Sequence, residues 1–391
     1  MKVKKIIFIL CMCFTCLFLV GCGDNVDIDK RAFVSTIAID IGKDVDKFKN
    51  LKSIVEQNKA VEENVQILDV TYGFPDVRNM DPEKGAAPEI PITASGYSMA
   101  NAYFNAATKT SREFHLGHTK LLLLNEDILK YPDILSGIVD YIERDSILNR
   151  SMYIAIVKGK ARDYINYKPT TEENIENYTE GLMNNISRNS GMVPVTLHNY
   201  LSNLSKESNL IPYIGLENEN KDFKVYGMAS IKNFKLNGFL NNVEMSNIGL
   251  IKGDIGTVQK VVFLDNHPID YYTNSSESKL RVKYEDKLIL NYHIMTEGKI
   301  MGAYMNANML DDTKVKEVEK QLNALMEKEF TETFLKVQKD LKIDPLEVKE
   351  HLMRYRPKLW KNVKDNWNEV YENAEVHFKV ENKIRNVGVA N

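Results

Sequence analysis

The sequence predicts a multidomain protein of mixed α+β and α/β class, with mixed sheets flanked by helices, long C-terminal helices and a final edge strand. Three observations support this class. Residues 121–124 are apolar on both faces of a strand, which is typical of a covered sheet. An apolar helix and the strand 152–159 follow, and this order is a βαβ signature. Residues 279–295 hold two strands separated by a three-residue link, and so short a link requires antiparallel pairing.

The first 22 residues, MKVKKIIFILCMCFTCLFLVGC, have the plan of a secretory signal. Lysines precede an apolar run that is too short for a comfortable transmembrane span. Leu19, Val20, Gly21 and Cys22 resemble the bacterial lipobox, in which the cysteine sulfur receives a diacylglyceryl group and the chain is cut before it. We therefore expect residues 1–21 to be a lipoprotein signal peptide and Cys22 to be the lipidated N-terminus. The alternatives are an uncleaved membrane helix and an ordinary signal with a chance cysteine.

Lipidation would attach the protein to a membrane by its first residue. One acyl chain gives only marginal binding, at about 0.8 kcal/mol per buried CH2, whereas two chains on one residue anchor stably. We therefore expect the protein to contact the lipid bilayer through the acyl chains of this anchor.

Composition excludes several classes of function. The chain has 51 Lys and Arg against 54 Asp and Glu, and removal of a leader with three lysines and no acid gives a mature charge of −6. The chain contains no run of five or six like charges. Its composition therefore does not indicate binding to nucleic acid or a polybasic membrane patch. All 4 cysteines lie at or before Cys22, so the mature chain has no disulfide, no cysteine-ligated zinc and no thiol nucleophile.

The first half of the mature chain predicts a lipidated polar tether at residues 22–30 and an N-terminal α/β domain at 31–205. RAFVSTIAIDIGKD alternates as a strand, and a second strand is expected around 64–72. The proline-rich span 73–91 predicts a long exposed loop. Helices are expected at the alanine-rich segment 98–107, between the two buried strands, and around the Asn-rich segment before the domain boundary.

The second half changes character at residue 206. Residues 206–300 predict an antiparallel β-rich region, with one pair of strands that turns near Asn233 and Phe234. Residues 301–391 predict a helical region with a closing strand, although 206–391 is alternatively one C-terminal unit.

Helical spacing predicts a helix of about thirty residues after 311–312. Asp344 to Glu347 resemble a capping box with proline at the first helical position, so a new helix is expected there. AEVHFKVENKIR predicts the closing strand, with one packed face and one wet face.

A family resemblance follows from five blocks, which occur in this order: RAFVSTIAIDIGKD, FHLGHTKLLLLNEDIL, YIERDSILNRSMYIAIVKGKA, VYGMASIKNFKLNGFL and LWKNVKDNWNEVYENAEVHFKVENKIRNVG. With these blocks the chain resembles the C-subunit lipoproteins of bacterial spore germinant receptors, the Ger(x)C family. The resemblance implies a non-catalytic subunit at the outer face of the inner spore membrane. It also implies two partners, an integral-membrane A subunit and a transporter-like B subunit, and a response to nutrients that triggers germination. It implies no cofactor besides the acyl groups on Cys22.

Arg144, Asp145 and Arg150 lie in a predicted turn within the most recognisable block. They are candidates for contact with another receptor subunit, and the alternative is an ion-paired turn that fixes the next strand. His115 and His118 are expected to point to opposite faces of an extended segment and to bind no metal.

The remaining motifs predict no catalysis. Gly159 and Lys160 lack the spacing of a phosphate loop and are expected to form a strand-to-helix turn. Trp360 and Trp367, seven residues apart, are expected in the core rather than in a ligand cleft. Because no hydrolase or metalloprotease motif occurs, we assign no catalytic residue and no metal site. A solute-binding lipoprotein of a transporter is the alternative function, and it would need two similar α/β lobes; an extracytoplasmic hydrolase is the third candidate.

Overall fold

The computed structural model describes the chain in ten stretches: 27–59, 64–76, 87–169, 171–172, 175–190, 194–204, 209–217, 222–254, 257–303 and 311–386. The predicted signal peptide, with the lipobox residues Leu19, Val20 and Gly21, lies outside the described residues, as does Cys22. Their assignment stays a prediction.

Strands and helices alternate in the first half of the chain. In chain order its elements are β1 (Arg31–Phe33), β2 (Thr36–Ile41), α1 (Leu51–Glu56), β3 (Leu68–Pro75), β4 (Glu89–Gly96), α2 (Met99–Ala107), β5 (Glu113–His115), β6 (Leu121–Asn125), α3 (Pro132–Arg144), β7 (Tyr153–Val157), α4 (Ala161–Ile165), α5 (Ile175–Ser190) and α6 (Leu197–Ser202).

Long strands and a long helix dominate the second half. Its elements are β8 (Asn209–Glu217), β9 (Asp222–Lys232), β10 (Lys235–Asn241), α7 (Asn242–Lys252), β11 (Gln259–Leu264), β12 (His267–Tyr284), β13 (Leu288–Ala303), α8 (Asp312–Leu335), α9 (Val348–Tyr355), α10 (Pro357–Val363), α11 (Trp367–Glu372) and β14 (Glu375–Asn386).

An eight-stranded mixed sheet runs in the order β10-β9-β8-β7-β6-β2-β3-β4. Its central strands β8, β7, β6 and β2 are parallel, and the outer pairs are antiparallel. All residues of β6 are buried, because helices cover both faces. The predicted covered sheet and the βαβ unit are therefore confirmed.

Neighbouring residues of the central strands enter two different cores, because side chains alternate along a strand. Leu122 and Ile154 belong to a core with α2, α3 and α6. Leu123 and Ala155 belong to a second core with α4, α5 and α7. This arrangement explains the continuous apolar run of β6.

The loop predicted at residues 73–91 is wrong at both ends. β3 extends to Pro75, and β4 pairs with it in antiparallel register, with Gly73 opposite Pro91. Proline donates no backbone hydrogen bond, and it is tolerated here because β4 is an edge strand. Residues 77–86 of the predicted loop lie outside the described residues.

A four-stranded sheet has the order β11-β12-β13-β14. β12 and β13 pair antiparallel, as the sequence predicts, although both extend beyond the predicted span 279–295. β14 is the predicted edge strand, and it pairs parallel with β13 because α8 to α11 carry the chain back across the sheet. Burial alternates strictly along β11, so one face packs on α8 and the other is exposed.

The predicted long helix is α8. It begins after Asp311, whose carboxylate accepts hydrogen bonds from the backbone N–H groups of Thr313 and Lys314. It continues into the π-helix Lys336–Asp340. The whole element therefore matches the predicted helix of about thirty residues.

The capping box predicted from Asp344 to Glu347 is wrong. Asp344 does cap α9, but its carboxylate accepts from the N–H groups of Val348 and the next residue, at 3.1 and 2.8 Å. Glu347 has a φ of 57°, so it cannot belong to the first helical turn. A capping box with both reciprocal hydrogen bonds occurs instead at Asn241 and Glu244, where α7 begins.

One core joins the two sheets. It contains Leu123 of β6, Leu290 of β13 and Phe330 of α8, all fully buried. The eight-stranded sheet also crosses the predicted boundary between residues 205 and 206, since β8, β9 and β10 follow it. The fold class predicted from the sequence is confirmed, and the division into domains stays a prediction.

Candidate functional site

The last residue of α3 and the turn that follows it hold the three predicted contact residues. Arg144 donates from Nε to both carboxylate oxygens of Asp140, at 3.0 and 2.9 Å, and both side chains are exposed. The Asp145 carboxylate accepts the N–H of Ile147 at 2.9 Å. Arg150 donates to the Glu143 carbonyl oxygen at 3.1 Å. These bonds fix the turn locally, and a partner contact made by its exposed face stays a prediction.

His115 and His118 do not point to opposite faces, so that expectation is wrong. β5 ends at His115, and the 3-10 turn Leu116–His118 bends the chain back. The two ring centroids lie 5.2 Å apart, and both rings contact Phe33. Burial and the neighbouring His118 lower the pKa of His115. Within the described residues no group of three or more His, Cys, Asp or Glu side chains could hold a metal.

The strand-to-helix turn at Gly159 and Lys160 is confirmed between β7 and α4. Gly159 has a φ of 77°, which glycine adopts without strain. The Asp40 carboxylate accepts hydrogen bonds from the N–H groups of Ala161 and Arg162, at 2.7 and 3.0 Å. The backbone N–H groups at the start of α4 are therefore hydrogen-bonded by a side chain of β2.

Two buried carboxyl groups meet where β4 faces α5. One Glu89 oxygen accepts a short hydrogen bond from the Ser35 hydroxyl, and the other Glu89 oxygen has no hydrogen-bond partner among the described residues. Burial and the charge of Glu176 raise the pKa of Glu89 to about 8. Burial also raises the pKa of Glu176. Because like charges disfavour a second ionisation, the pair retains a proton at neutral pH.

A cleft of about 470 Å³ lies between the eight-stranded sheet and the C-terminal helices. Its walls come from β8, β9, α7, the segment around Asp344 and α11. Trp367 lines it and is also buried in the core that joins the sheets. The predicted core position of Trp367 is therefore confirmed, and the same side chain forms part of a cleft wall. The volume is in the range of small-molecule sites.

Buried polar groups line this cleft. Gln338, which is 1% exposed, donates from Nε2 to the carbonyl oxygens of Tyr371 and Ala374, at 2.7 and 2.8 Å. Its Oε1 has no hydrogen-bond partner among the described residues, and the same holds for the Tyr371 hydroxyl. Burial and the nearby Asp344 carboxylate raise the pKa of Tyr371, although no hydrogen bond of normal geometry joins the two.

Asp344 contributes a carboxylate to the same cleft. Burial raises its pKa to about 6, even though two backbone N–H groups hydrogen-bond to it. From the sequence pattern, Asp344 was predicted only to cap a helix. No sequence signal identifies the cleft, because Gln338, Asp344 and Tyr371 lie on three separate elements that meet only in the folded chain.

Within the described part of the chain, no helix is long and apolar enough to cross a membrane.

Two family models together match nearly the whole chain. The model described as "Spore germination protein N-terminal domain" matches residues 24–216. The model described as "Spore germination B3/ GerAC like, C-terminal" matches residues 226–388.

The chain belongs to the Ger(x)C family of spore germination proteins. This is the family of germinant-receptor C subunits, so the resemblance found in the sequence is confirmed. The chain is similar to "Spore germination protein YndF" of Bacillus subtilis, with 26% identity over 97% of this chain and 96% of that protein. "Spore germination protein A3" of the same organism is 26% identical over 97% of each chain.

The crystal structure of the GerBC protein has the same fold. It superimposes with a TM-score of 0.59 at 21% identity, over 83% of this chain and 94% of that one. The mixed α and β architecture of this Ger(x)C protein is thus shared with a solved structure.

Proposed function

We propose that the chain is a non-catalytic lipoprotein subunit of a spore nutrient germinant receptor, anchored at the outer face of the inner spore membrane by a diacylglyceryl group on Cys22. It acts through contacts with the integral-membrane A and B subunits and so helps to trigger germination. The observation that carries the proposal is family membership along both halves of the chain, combined with the lipobox at residues 19–22.

The length of the tether supports contact with membrane partners. Cys22 and Asp27, the first described residue, are five residues apart, and a fully extended chain of that length spans at most about 18 Å. β1 follows at Arg31 and pairs with β5. The folded body is therefore held close to the lipid headgroups, where extramembrane parts of integral subunits are within reach.

The predicted contact turn lies beside the tethered end. Phe33 of β1 stacks on His118, with 5.1 Å between ring centroids. The carbonyl oxygen of the next residue, Thr119, accepts a hydrogen bond from the side chain of Asn149 in the turn, at 3.0 Å. Ile147 of the same turn is 60% exposed. An apolar side chain flanked by arginines near the anchor suits a protein partner at the membrane surface.

The anchor is tested by the variant Cys22→Ala. We expect loss of metabolic labelling with radioactive palmitate and retention of the uncleaved leader, because the modified sulfur and the cleavage site are lost together. Cys16→Ala, in the apolar run of the same leader, is the control and keeps the label. Unchanged labelling of Cys22→Ala would contradict the proposal.

The contact surface is tested by placing a photo-crosslinking amino acid at Ile147 and, as a control, at Tyr355, which is 62% exposed on α9. In spore membranes we expect Ile147 to crosslink to an integral subunit of the receptor, identified by mass spectrometry, and Tyr355 to give a much weaker product. Equal crosslinking from both positions, or none from Ile147, would refute this surface.

The two sheets do not support the alternative function of a solute-binding lipoprotein. That class of protein was expected to show two similar α/β lobes. Besides the two-stranded pair of β1 and β5, the described chain has one eight-stranded sheet with a parallel centre and one four-stranded, mainly antiparallel sheet. The two sheets are thus unequal in size and in strand direction.

A further inference from the structure

The cleft of about 470 Å³ between the eight-stranded sheet and the C-terminal helices is large enough for a small organic molecule. Its walls are contributed by segments far apart in sequence, from β8 to α11. A molecule bound here would contact both halves of the chain.

Two buried polar atoms in this cleft have no hydrogen-bond partner among the described residues, the Gln338 Oε1 and the Tyr371 hydroxyl. Their residues are 1% and 5% exposed. A buried polar atom without a partner is costly, and it is uncommon in folded proteins. Gln338 cannot rotate its amide to exchange the two ends, because Nε2 already donates to two carbonyl oxygens. Gln338 lines the cleft, so its Oε1 is an acceptor beside the cleft that no protein group occupies within the described residues.

Asp344 adds negative charge beside these atoms. Each of its carboxylate oxygens accepts one backbone N–H, and a carboxylate has about four acceptor positions, so further hydrogen bonds can form. No ion pair to Asp344 is found within the described residues, whereas Glu347 and Glu350 lie close enough to disfavour its ionisation further. A pKa of about 6 leaves the carboxylate charged at neutral pH.

The lysines of the cleft do not neutralise Asp344. Lys252 pairs with Asp254 and Glu347, and Lys342 pairs with Glu372. Across the whole lining, 4 lysines face 5 carboxylates. One negative charge is therefore in excess, and two of the lining carboxylates, Asp344 and Glu350, have no ion pair among the described residues.

Aromatic rings complete the wall. Trp367 and Tyr371 stack with 5.5 Å between ring centroids and an interplanar angle of 30°, and both line the cleft. Aromatic faces attract cations. Acceptor oxygens, an unpaired carboxylate and aromatic faces are together complementary to an ammonium group, which is a three-fold donor with positive charge.

We propose that this cleft binds a small organic cation through a primary ammonium group, which donates hydrogen bonds to Asp344, Gln338 and Tyr371. The remaining, apolar part of the ligand lies against side chains such as Met228 and Ile248, which also line the cleft. Binding would couple the two halves of the chain, because the carboxylate lies on the C-terminal side and the apolar wall on the sheet side.

The test uses the full chain in uncharged detergent and three probes of similar size: butylammonium chloride, 1-butanol and sodium butyrate. The chain has 2 tryptophans, so Trp360→Phe leaves Trp367 as the reporter on the cleft wall. We expect saturable quenching or enhancement of its fluorescence by butylammonium, with an effect at least about tenfold weaker for the other two probes, because they lack charged donors.

Variants connect that binding to the named groups. Asp344→Asn should weaken butylammonium binding by about tenfold or more, because the charge is lost. Tyr371→Phe should weaken it several-fold without lowering the Tm, because it removes a hydroxyl that has no protein partner in the folded state. Glu332→Gln changes an exposed carboxylate on α8 that does not line the cleft, and it should leave the affinity unchanged.

Three results would overturn the proposal: no saturable response to butylammonium, equal responses to all three probes, or equal affinity in the parent chain and Asp344→Asn. Palmitate labelling and crosslinking at Ile147 do not depend on this cleft. Failure here is therefore distinguishable from failure of the proposed anchoring and partner contacts.

Discussion

The two large sheets of the described chain, of eight and four strands, differ in how their faces are buried. Each face of the eight-stranded sheet is covered by helices, and adjacent residues of β6 are both buried. The four-stranded sheet is covered by α8 on one face, and β11 alternates between buried and exposed positions. The centre of the eight-stranded sheet is therefore buried on both faces, whereas the four-stranded sheet keeps one face exposed to solvent.

This difference teaches where the chain tolerates change. A substitution on either face of a central strand removes packing from one of two closed cores. A substitution on the exposed face of β11 removes little, since the side chain already contacts solvent. Phe263 on that face is 59% exposed, while Val262 beside it is 6% exposed.

The largest effect is expected from neighbouring substitutions in the two sheets. Leu122→Ala and Leu123→Ala should each lower the free energy of unfolding by about 2–5 kcal/mol, because each leaves a cavity in a closed core. In β11, Val262→Ala should cost about 1–3 kcal/mol and Phe263→Ala less than about 0.5 kcal/mol. Urea denaturation followed by circular dichroism measures all four.

The comparison between the sheets fails if one of the two β6 variants is as stable as the parent protein. It also fails if Phe263→Ala is as destabilising as Val262→Ala, since that face would then be packed.

A smaller effect is expected at the buried ion pair between the second sheet and α8. Lys260, which is 5% exposed, pairs with Glu329 and also donates to the Asn247 side chain at 2.8 Å. Glu329→Gln leaves a buried ammonium without its charge partner, so we expect a loss of about 3 kcal/mol in urea denaturation.

Glu332→Gln on the same helix provides the matched control. Glu332 pairs with Lys328, both side chains are exposed, and the loss should be below about 0.5 kcal/mol. If both substitutions have equal effects, the pair at Lys260 contributes no more than a surface pair.

The smallest effect concerns pH and the first sheet. Burial and the charge of Glu176 raise the pKa of Glu89 to about 8, so the folded protein holds a proton that the unfolded chain releases near pH 4.5. The stabilisation that the protonated Glu89 contributes is fully present below pH 4.5, and it is lost as the pH rises through 8. Glu89→Gln should remove a fall in unfolding free energy of about 1–2 kcal/mol between pH 7 and 9.

Glu143→Gln on the exposed side of α3 is the control for this titration, and we expect it to keep the pH dependence of the parent protein. A Glu89→Gln variant with the same fall as the parent would exclude this pair as the source.

Local signals predicted much of the second half correctly. The long helix followed from apolar spacing between Val318 and Phe334, and the closing edge strand followed from alternation up to Ile384. The direction of that strand was not predictable. β14 is parallel to β13 because of the path taken by the intervening helices, and strand direction leaves no trace in a single segment's pattern.

Errors arose where distant residues decide local structure. Pro75 and Pro91 indicated a loop, but Pro75 is the last residue of β3, beyond the residues that pair with β2, and Pro91 lies on the edge strand β4. His115 and His118 were expected on opposite faces, but a turn ends the strand between them. Asp344 looked like the start of a capping box, and the positive φ at Glu347 moves the helix start to Val348.

The sequence by itself determined the class of fold, the buried parallel strands, the family and the expectation of a lipid anchor at Cys22, because each can be recognised from short segments and from their order along the chain. Only the tertiary structure brought Gln338, Asp344 and Tyr371 together around one cleft and Glu89 against Glu176. Contacts between residues far apart in sequence depend on how covered sheets and helices pack, and packing is a property of the whole chain.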